Sequence, residues 1–243
     1  MQTIDINCDV GEGFNNESLL MPYLSSCNIA CGAHAGSLEI IEKTMLLAKK
    51  HEVKIGAHPS FPDQENFGRK MMNISSEALQ KSIESQLRTV KQCAEKLNLK
   101  IHHVKAHGAL YNYIAKDTLI AEVFVKAVKA IFENVFLYVP FHSEIEKIAL
   151  QNHLKIKHEV FIDRNYNEDL SLVARDQQNA IIQNAEEALK HVNNLLHGKV
   201  KTVTGVEKSI KADTFCVHGD AQNTLEILHF LKKYFTEKGI EIA

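Results

Sequence analysis

Residues 26–36 read Ser26-Cys-Asn-Ile-Ala-Cys-Gly-Ala-His-Ala-Gly36, and this stretch decides how the rest of the chain is read. Small and apolar residues come first, the composition of a strand buried on both faces, and the run then breaks at glycine and histidine before a helical pattern begins at Ser37. The same grammar recurs at Val53 to Pro59 (VKIGAHP), Val104 to Leu110 (VKAHGAL) and Phe215 to Asp220 (FCVHGD). Each time an apolar run ends in a histidine. In folds of parallel strands, the loops after strand C-termini are where ligands bind, so the histidines are expected to converge.

A chain of 243 residues matches one α/β barrel of about 250 residues, so residues 1–243 are expected to form a single barrel domain. The composition is 45% hydrophobic and 24% charged with a formal net charge of -2, which argues against disorder and against a nucleic-acid partner. The segment MQTIDINCDVGEG carries acidic residues where a secretory signal needs basic ones, and no run approaches the length of a membrane span. The expectation is a cytoplasmic protein with no membrane contact. Five scattered cysteines (Cys8, Cys27, Cys31, Cys93, Cys216) read as reduced thiols that pack strands. Cys27 and Cys31 have a spacing seen in zinc sites, but no second pair completes a tetrahedral set.

Working outward, Thr3 to Cys8 forms a first strand that runs into Asp9, Gly11 and Glu12. Asp and Gly are turn residues, but Asp5, Asn7 and Asp9 alternate and so face one side, where three polar groups need a task. Helical spacing follows Ser37 (Leu38, Ile41, Met45, Ala48) and, over about six turns, Ser75 (Leu79 to Leu97). Between them Val53 to Ala57 leads into an ordered loop, His58-Pro59-Ser60 through Phe67-Gly68-Arg69-Lys70, of the kind that carries function. Ile101 to Lys105 ends in Lys105 and His107, which point the same way; His102 and His103 at its other end are expected to be structural or exposed. Further helices are expected over 117–133, 143–152 and 177–196, and strands over 135–140, 156–162, 200–203 and 212–217. His142 reads equally as a helix-start or a site residue. Strands separated by helices, seven or eight in number, predict closure into a distorted TIM-like barrel.

Collected at one rim would be Asp9, Glu12, His34, His58, Lys105, His107, Glu159, Asp163, Arg164, Arg175, His218 and Asp220. No nucleophile elbow, dinucleotide fingerprint, phosphate loop or HExxH motif is present. The set suits general acid/base or metal-assisted hydrolysis, with Lys105, Arg164 or Arg175 free to clamp a carboxylate. If a divalent metal is held, Asp9, His34 and His58 are the natural trio.

At Asp5 to Glu12, Asn28 to Gly36, Gly56 to Pro59 with Phe67 to Arg69, Val104 to Asn112, Glu159 to Arg164 and Cys216 to Asp220, the chain resembles the LamB/YcsF family from end to end. The resemblance implies an α/β barrel akin to glycoside hydrolases and polysaccharide deacetylases. It implies ATP-dependent opening of 5-oxoproline to glutamate, with ATP as co-substrate, in company with two partner subunits, B and C. The work would then fall to Asp9, Glu12, His34, His58, Lys105, His107, Asp163, His218 and Asp220 as catalytic groups. Asn7, Arg69, Tyr111, Glu159, Arg164 and Arg175 would bind substrate. The chain departs from the family pattern at Ser37, Ser60, Lys70 and Ala106. A stand-alone, metal-dependent carbohydrate deacetylase or glycosidase is the competing expectation, and a homo-oligomer is left open.

Overall fold

Each apolar run is followed by chain enough to return to the next parallel position, and the computed structural model, which describes residues 2–221 and 223–243, shows the result. Strands β1 (Ile6–Val10), β2 (Ser26–Ala30), β3 (Lys54–His58), β4 (Ile101–Val104), β5 (Phe136–Pro140), β6 (Lys155–Phe161) and β7 (Thr214–His218) pair in sequence order. β7 pairs in parallel with β6 and with β1, which closes a seven-stranded barrel. Outside it, Gln2–Ile4 pairs with Ile240–Ile242 and ties the two ends of the chain together.

The candidate eighth strand does not join the barrel. Lys199–Lys201 pairs antiparallel with Glu207–Ser209 as a separate ribbon, because a tight turn between them leaves no room for a parallel crossover. The helix expected from about residue 177 starts later, at Ala185, and runs to Leu196. Asn184 sets that start by accepting hydrogen bonds from the Glu186 and Glu187 amides, while Ile181 is drawn into a bridge with Arg164.

The other long helices begin at side-chain caps that the sequence supplies. Ser37 caps Leu38–Lys50, Ser75 caps Ser76–Lys96, Asp117 caps Thr118–Ile131 and Ser143 caps Glu144–Gln151. Their apolar faces pack on the barrel exterior, where Leu79, Ile83, Leu87 and Val90 are fully buried. Among the described residues no helix is long and apolar enough to cross a membrane.

Inside the barrel the expected aliphatic layers are replaced by a hydrogen-bonded column of polar groups. Asp5 accepts from Thr214 (2.7 Å), Thr214 accepts from Asn7 (2.8 Å), and Asn7 accepts from Asn28 (2.7 Å). The Asn28 amide also donates to Asp9 Oδ1 at 2.8 Å, and its carbonyl accepts from His103 Nε2 at 2.6 Å. His103 stacks on Tyr138, whose hydroxyl meets Ser26. Buried polar groups are tolerated here because each is paired. Glycine is required at position 56, since a Cβ there would lie 2.1 Å from the His103 ring.

Candidate functional site

Parallel register brings the strand ends to one rim. Asp9 lies beside His218 on one side and Asn28 on the other, and Ala30 pairs with His58. The loop after β3 folds back over this rim, where Gly108 lies so close that a Cβ would sit 2.7 Å from the Gly68 carbonyl oxygen. The Phe67 carbonyl is thereby aimed at His107.

Two histidines are fixed by backbone carbonyls. His58 Nδ1 lies 2.8 Å from the Lys105 carbonyl oxygen, and His107 Nε2 lies 2.9 Å from that of Phe67. A carbonyl only accepts, so these nitrogens carry the protons. The opposite nitrogens, His58 Nε2 and His107 Nδ1, face each other 3.0 Å apart, and each is a lone pair when its ring carries one proton. Asp9 Oδ2 is 3.3 Å from His58 Nε2 and Glu12 Oε1 is 3.2 Å from His107 Nδ1. Four acceptor atoms from four buried residues thus lie within 4.8 Å of one another. Such a group is stable only with a cation or shared protons among its lone pairs.

The electrostatics agree. Burial pushes His107 down to about 4 against the opposing pull of Glu12, and it also lowers His34. Both rings are neutral at pH 7. Burial alone would raise the Asp9 and Glu12 carboxyls, but the facing Lys105 ammonium holds Asp9 well below its ordinary value, and the bond from His34 Nε2 helps hold Glu12 low.

His34 stacks on His107 with centroids 3.8 Å apart, yet its own nitrogens are taken. Nε2 meets Glu12 Oε1 at 3.1 Å and Nδ1 meets Ser60 Oγ at 2.9 Å. The acceptor group therefore differs from the trio expected from the sequence: Glu12 and His107 enter it, and His34 supports Glu12 from behind. The departure at Ser60 adds a partner for His34.

Lys105 stands between two carboxylates, 2.9 Å from Asp9 Oδ1 and 3.0 Å from Glu159 Oε1, and donates to Cys216 Sγ. Burial would lower its ammonium, but the facing Asp9 raises it well above the usual lysine value, so it is a fixed cation. Beside it, His218 Nδ1 meets Asp163 at 3.0 Å. At the outer rim Arg69 (2.6 Å) and Arg175 (3.0 Å) share the single carboxylate of Asp220. Two guanidiniums against one carboxylate leave a positive charge facing the opening.

A cavity of about 370 Å³ opens on part of this set, and Glu12, His34, Glu159, Asp163 and Asp220 lie outside its lining. Asp9, His58, Lys105, His107 and His218 line its floor, and Arg69, Arg164 and Arg175 line its wall. The Arg164 side chain donates to the Val173 and Ala180 carbonyls, which fixes the segment over the opening. Tyr111 also lines the cavity. Asn7 does not, lying one layer below in the polar column, because its side-chain amide is held by Thr214 and Asn28. His142 lines a neighbouring chamber instead. Asn28 and His103 reach the site only through Asp9. A single asparagine inside an apolar run is the only sequence signal for the former, and His103 reads as a strand-start residue. Cys27 and Cys31 are buried free thiols, both pushed up by burial, Cys27 to about 12.

A family model for LamB/YcsF matches residues 4–243. The chain belongs to the LamB/YcsF family. It is 40% identical to the A subunit of 5-oxoprolinase from Histophilus somni, across all of this chain and 99% of that one. The lactam utilization protein of Thermus thermophilus superposes on this LamB/YcsF chain with a TM-score of 0.92 at 33% identity, covering 99% of both. A family 4 carbohydrate esterase from Streptomyces lividans shares the fold at a TM-score of 0.53 and 8% identity, over all of this chain and 92% of that one.

Proposed function

We propose that this chain is the hydrolytic component of an ATP-dependent 5-oxoprolinase that opens 5-oxo-L-proline to L-glutamate together with partner subunits B and C. One observation carries the reading: a single cavity sets a cluster of unprotonated nitrogens and carboxylates opposite a positively charged rim. The relatives' names point to the same lactam chemistry.

The Arg69 and Arg175 guanidiniums, already gathered by Asp220, take the substrate carboxylate and leave the lactam carbonyl facing Asp9, His58 and His107. A five-membered lactam recloses easily because its amine and carboxyl are held together, so hydrolysis needs driving. Transfer of the terminal phosphoryl group of ATP to the lactam oxygen, with ADP leaving, gives an activated carbon that water can attack; phosphate then departs and the C–N bond breaks, its nitrogen taking up a proton. With its Nδ1–H tied to the Lys105 carbonyl, His58 Nε2 is the base that accepts the proton of that water. Lys105 keeps Asp9 ionised and oriented. This chain carries no recognisable phosphate-binding loop, so the reading assigns ATP at least in part to a partner subunit.

The four convergent acceptors also fit a divalent cation held by Asp9, Glu12, His58 and His107; with that cation bound, His58 Nε2 would be a ligand and not the base. Such a cation supplies Lewis-acid polarisation and a water of lowered pKa. The same cluster supports the second reading, a metal-dependent deacetylase acting on carbohydrate without partners. A glutamate-release assay with 5-oxoproline and ATP separates the two: release only with both partner subunits present supports the first, and deacetylation of an acetylated sugar by the chain alone supports the second.

A further inference from the structure

Behind the wall formed by Tyr111, Asn112, Phe161 and Leu172 lies a second chamber of about 320 Å³, which shares those residues with the first cavity. Glu159 lines this chamber and is 2% exposed. Both of its carboxylate oxygens lack a hydrogen-bond partner among the described residues, and so does the buried hydroxyl of Tyr111. That hydroxyl stays protonated, since burial, then the charge of Glu159 and the nearness of its carboxylate push it well above its ordinary value, and the two groups face the chamber together. Lys105 forms an ion pair with Glu159 Oε1 at 3.0 Å. That lysine also serves Asp9, so one ammonium is divided between two buried carboxylates. Elsewhere in the chamber the charges are matched, Asp169 by Lys116 and Glu144 by Lys147.

A buried carboxylate with free lone pairs is costly unless something donates to it. Tyr111, Phe141, Phe161 and Tyr166 give the chamber aromatic walls, which also favour a cation. We propose that this chamber is an ammonium subsite, in which Glu159 and Tyr111 receive the N–H groups of an α-amino acid ligand. Resting on the function proposed above, that ligand is the ring-opened product. Its nitrogen offers one N–H as a lactam and three as an ammonium, so the unpartnered acceptors favour the opened form over the closed one. Glu159 thereby discriminates between substrate and product, and the chamber takes the amine end while the guanidinium rim holds a carboxylate.

The test is equilibrium binding to the purified chain, by calorimetry, of L-glutamate and of glutarate, which lacks only the amine. The chain should bind glutamate at least about tenfold more tightly than glutarate, the effect of one charge-assisted bond. Glu159→Gln should abolish that preference without lowering glutarate affinity, since glutarate has no amine to lose. Tyr111→Phe removes a hydroxyl that has no partner, keeps the fold if Glu159→Gln does not, and should reduce the preference severalfold. Equal affinity for the two ligands in the unaltered chain, or a preference unchanged in the variants, overturns the subsite. Glutamate release by the assembled complex without any amine preference would overturn the subsite alone. An amine preference that depends on Glu159, in a complex that releases no glutamate, would instead overturn the proposed reaction and leave the subsite standing.

Discussion

His58 Nε2 and His107 Nδ1 face each other at 3.0 Å, and the backbone carbonyls of Lys105 and Phe67 hold the protons of both rings on their far sides. Neither nitrogen can donate to the other while both rings are neutral, and Asp9 and Glu12 only add further lone pairs. The barrel rim thus gathers acceptors that suit a cation.

That arrangement predicts metal binding at about one divalent ion per chain, the stoichiometry of a single four-ligand site. Elemental analysis after dialysis against the metal should give this value, and Asp9→Asn should reduce it to a trace. An unchanged metal content in Asp9→Asn would place the ion elsewhere.

At the rim, Arg175→Gln removes one of two guanidiniums gathered on Asp220. Loss of a charge-assisted contact worth about 1.5–3 kcal/mol should raise KM about 10- to 100-fold while changing kcat much less. Steady-state kinetics of the assembled complex reads this directly, and a fall confined to kcat would remove Arg175 from substrate recognition.

In the barrel interior, Gly56→Ala forces a methyl group against the His103 ring. A clash of this kind costs about 1–3 kcal/mol, and thermal denaturation should register it as a fall in Tm of several degrees. Because His103 holds Asn28 and Asn28 holds Asp9, activity at permissive temperature should fall as well. Replacement without either effect would show that the column is slack.

His191 gives a pH dependence that can be isolated from the site. Burial pushes it down to about 4 from an ordinary 6.5, and it bonds through Nε2 to the Phe161 carbonyl. The unfolded chain takes up this proton first, so the stabilisation is complete above pH 6.5 and is lost as the pH falls toward 4. The loss amounts to at most about 3 kcal/mol. Denaturant midpoints between about pH 7 and pH 4 should therefore shift less in His191→Gln than in the unaltered chain, and parallel curves would contradict the assignment.

Much of this site is legible in the sequence because glycine and histidine interrupt apolar runs at a regular place in each βα unit, and parallel strands bring those interruptions to one rim. His34, His58, His107 and His218 can be gathered on that ground alone. Which nitrogen faces which neighbour is not written in the pattern. His34 matches His58 in its surroundings along the chain, yet Ser60 and Glu12 occupy its ring, while His107 turns a free nitrogen to the acceptor group. Asn7 alternates with Asp9 and on that basis belongs in the cavity, but its depth depends on where the strand crosses the barrel. The ribbon at Lys199–Lys201 reads as a barrel candidate because three-residue strands carry no mark of their partner. The late helix start at Ala185 reflects a tertiary demand, the Arg164 side chain holding the Ala180 carbonyl.

The most direct test is the rate of glutamate release from 5-oxoproline and ATP by this chain with its partner subunits, compared with the His58→Gln variant after gel filtration has shown that both assemble. The account predicts a loss of about 100-fold or more, the scale of losing the group that activates the attacking water. A variant that assembles and retains its rate to within a few fold would contradict the account.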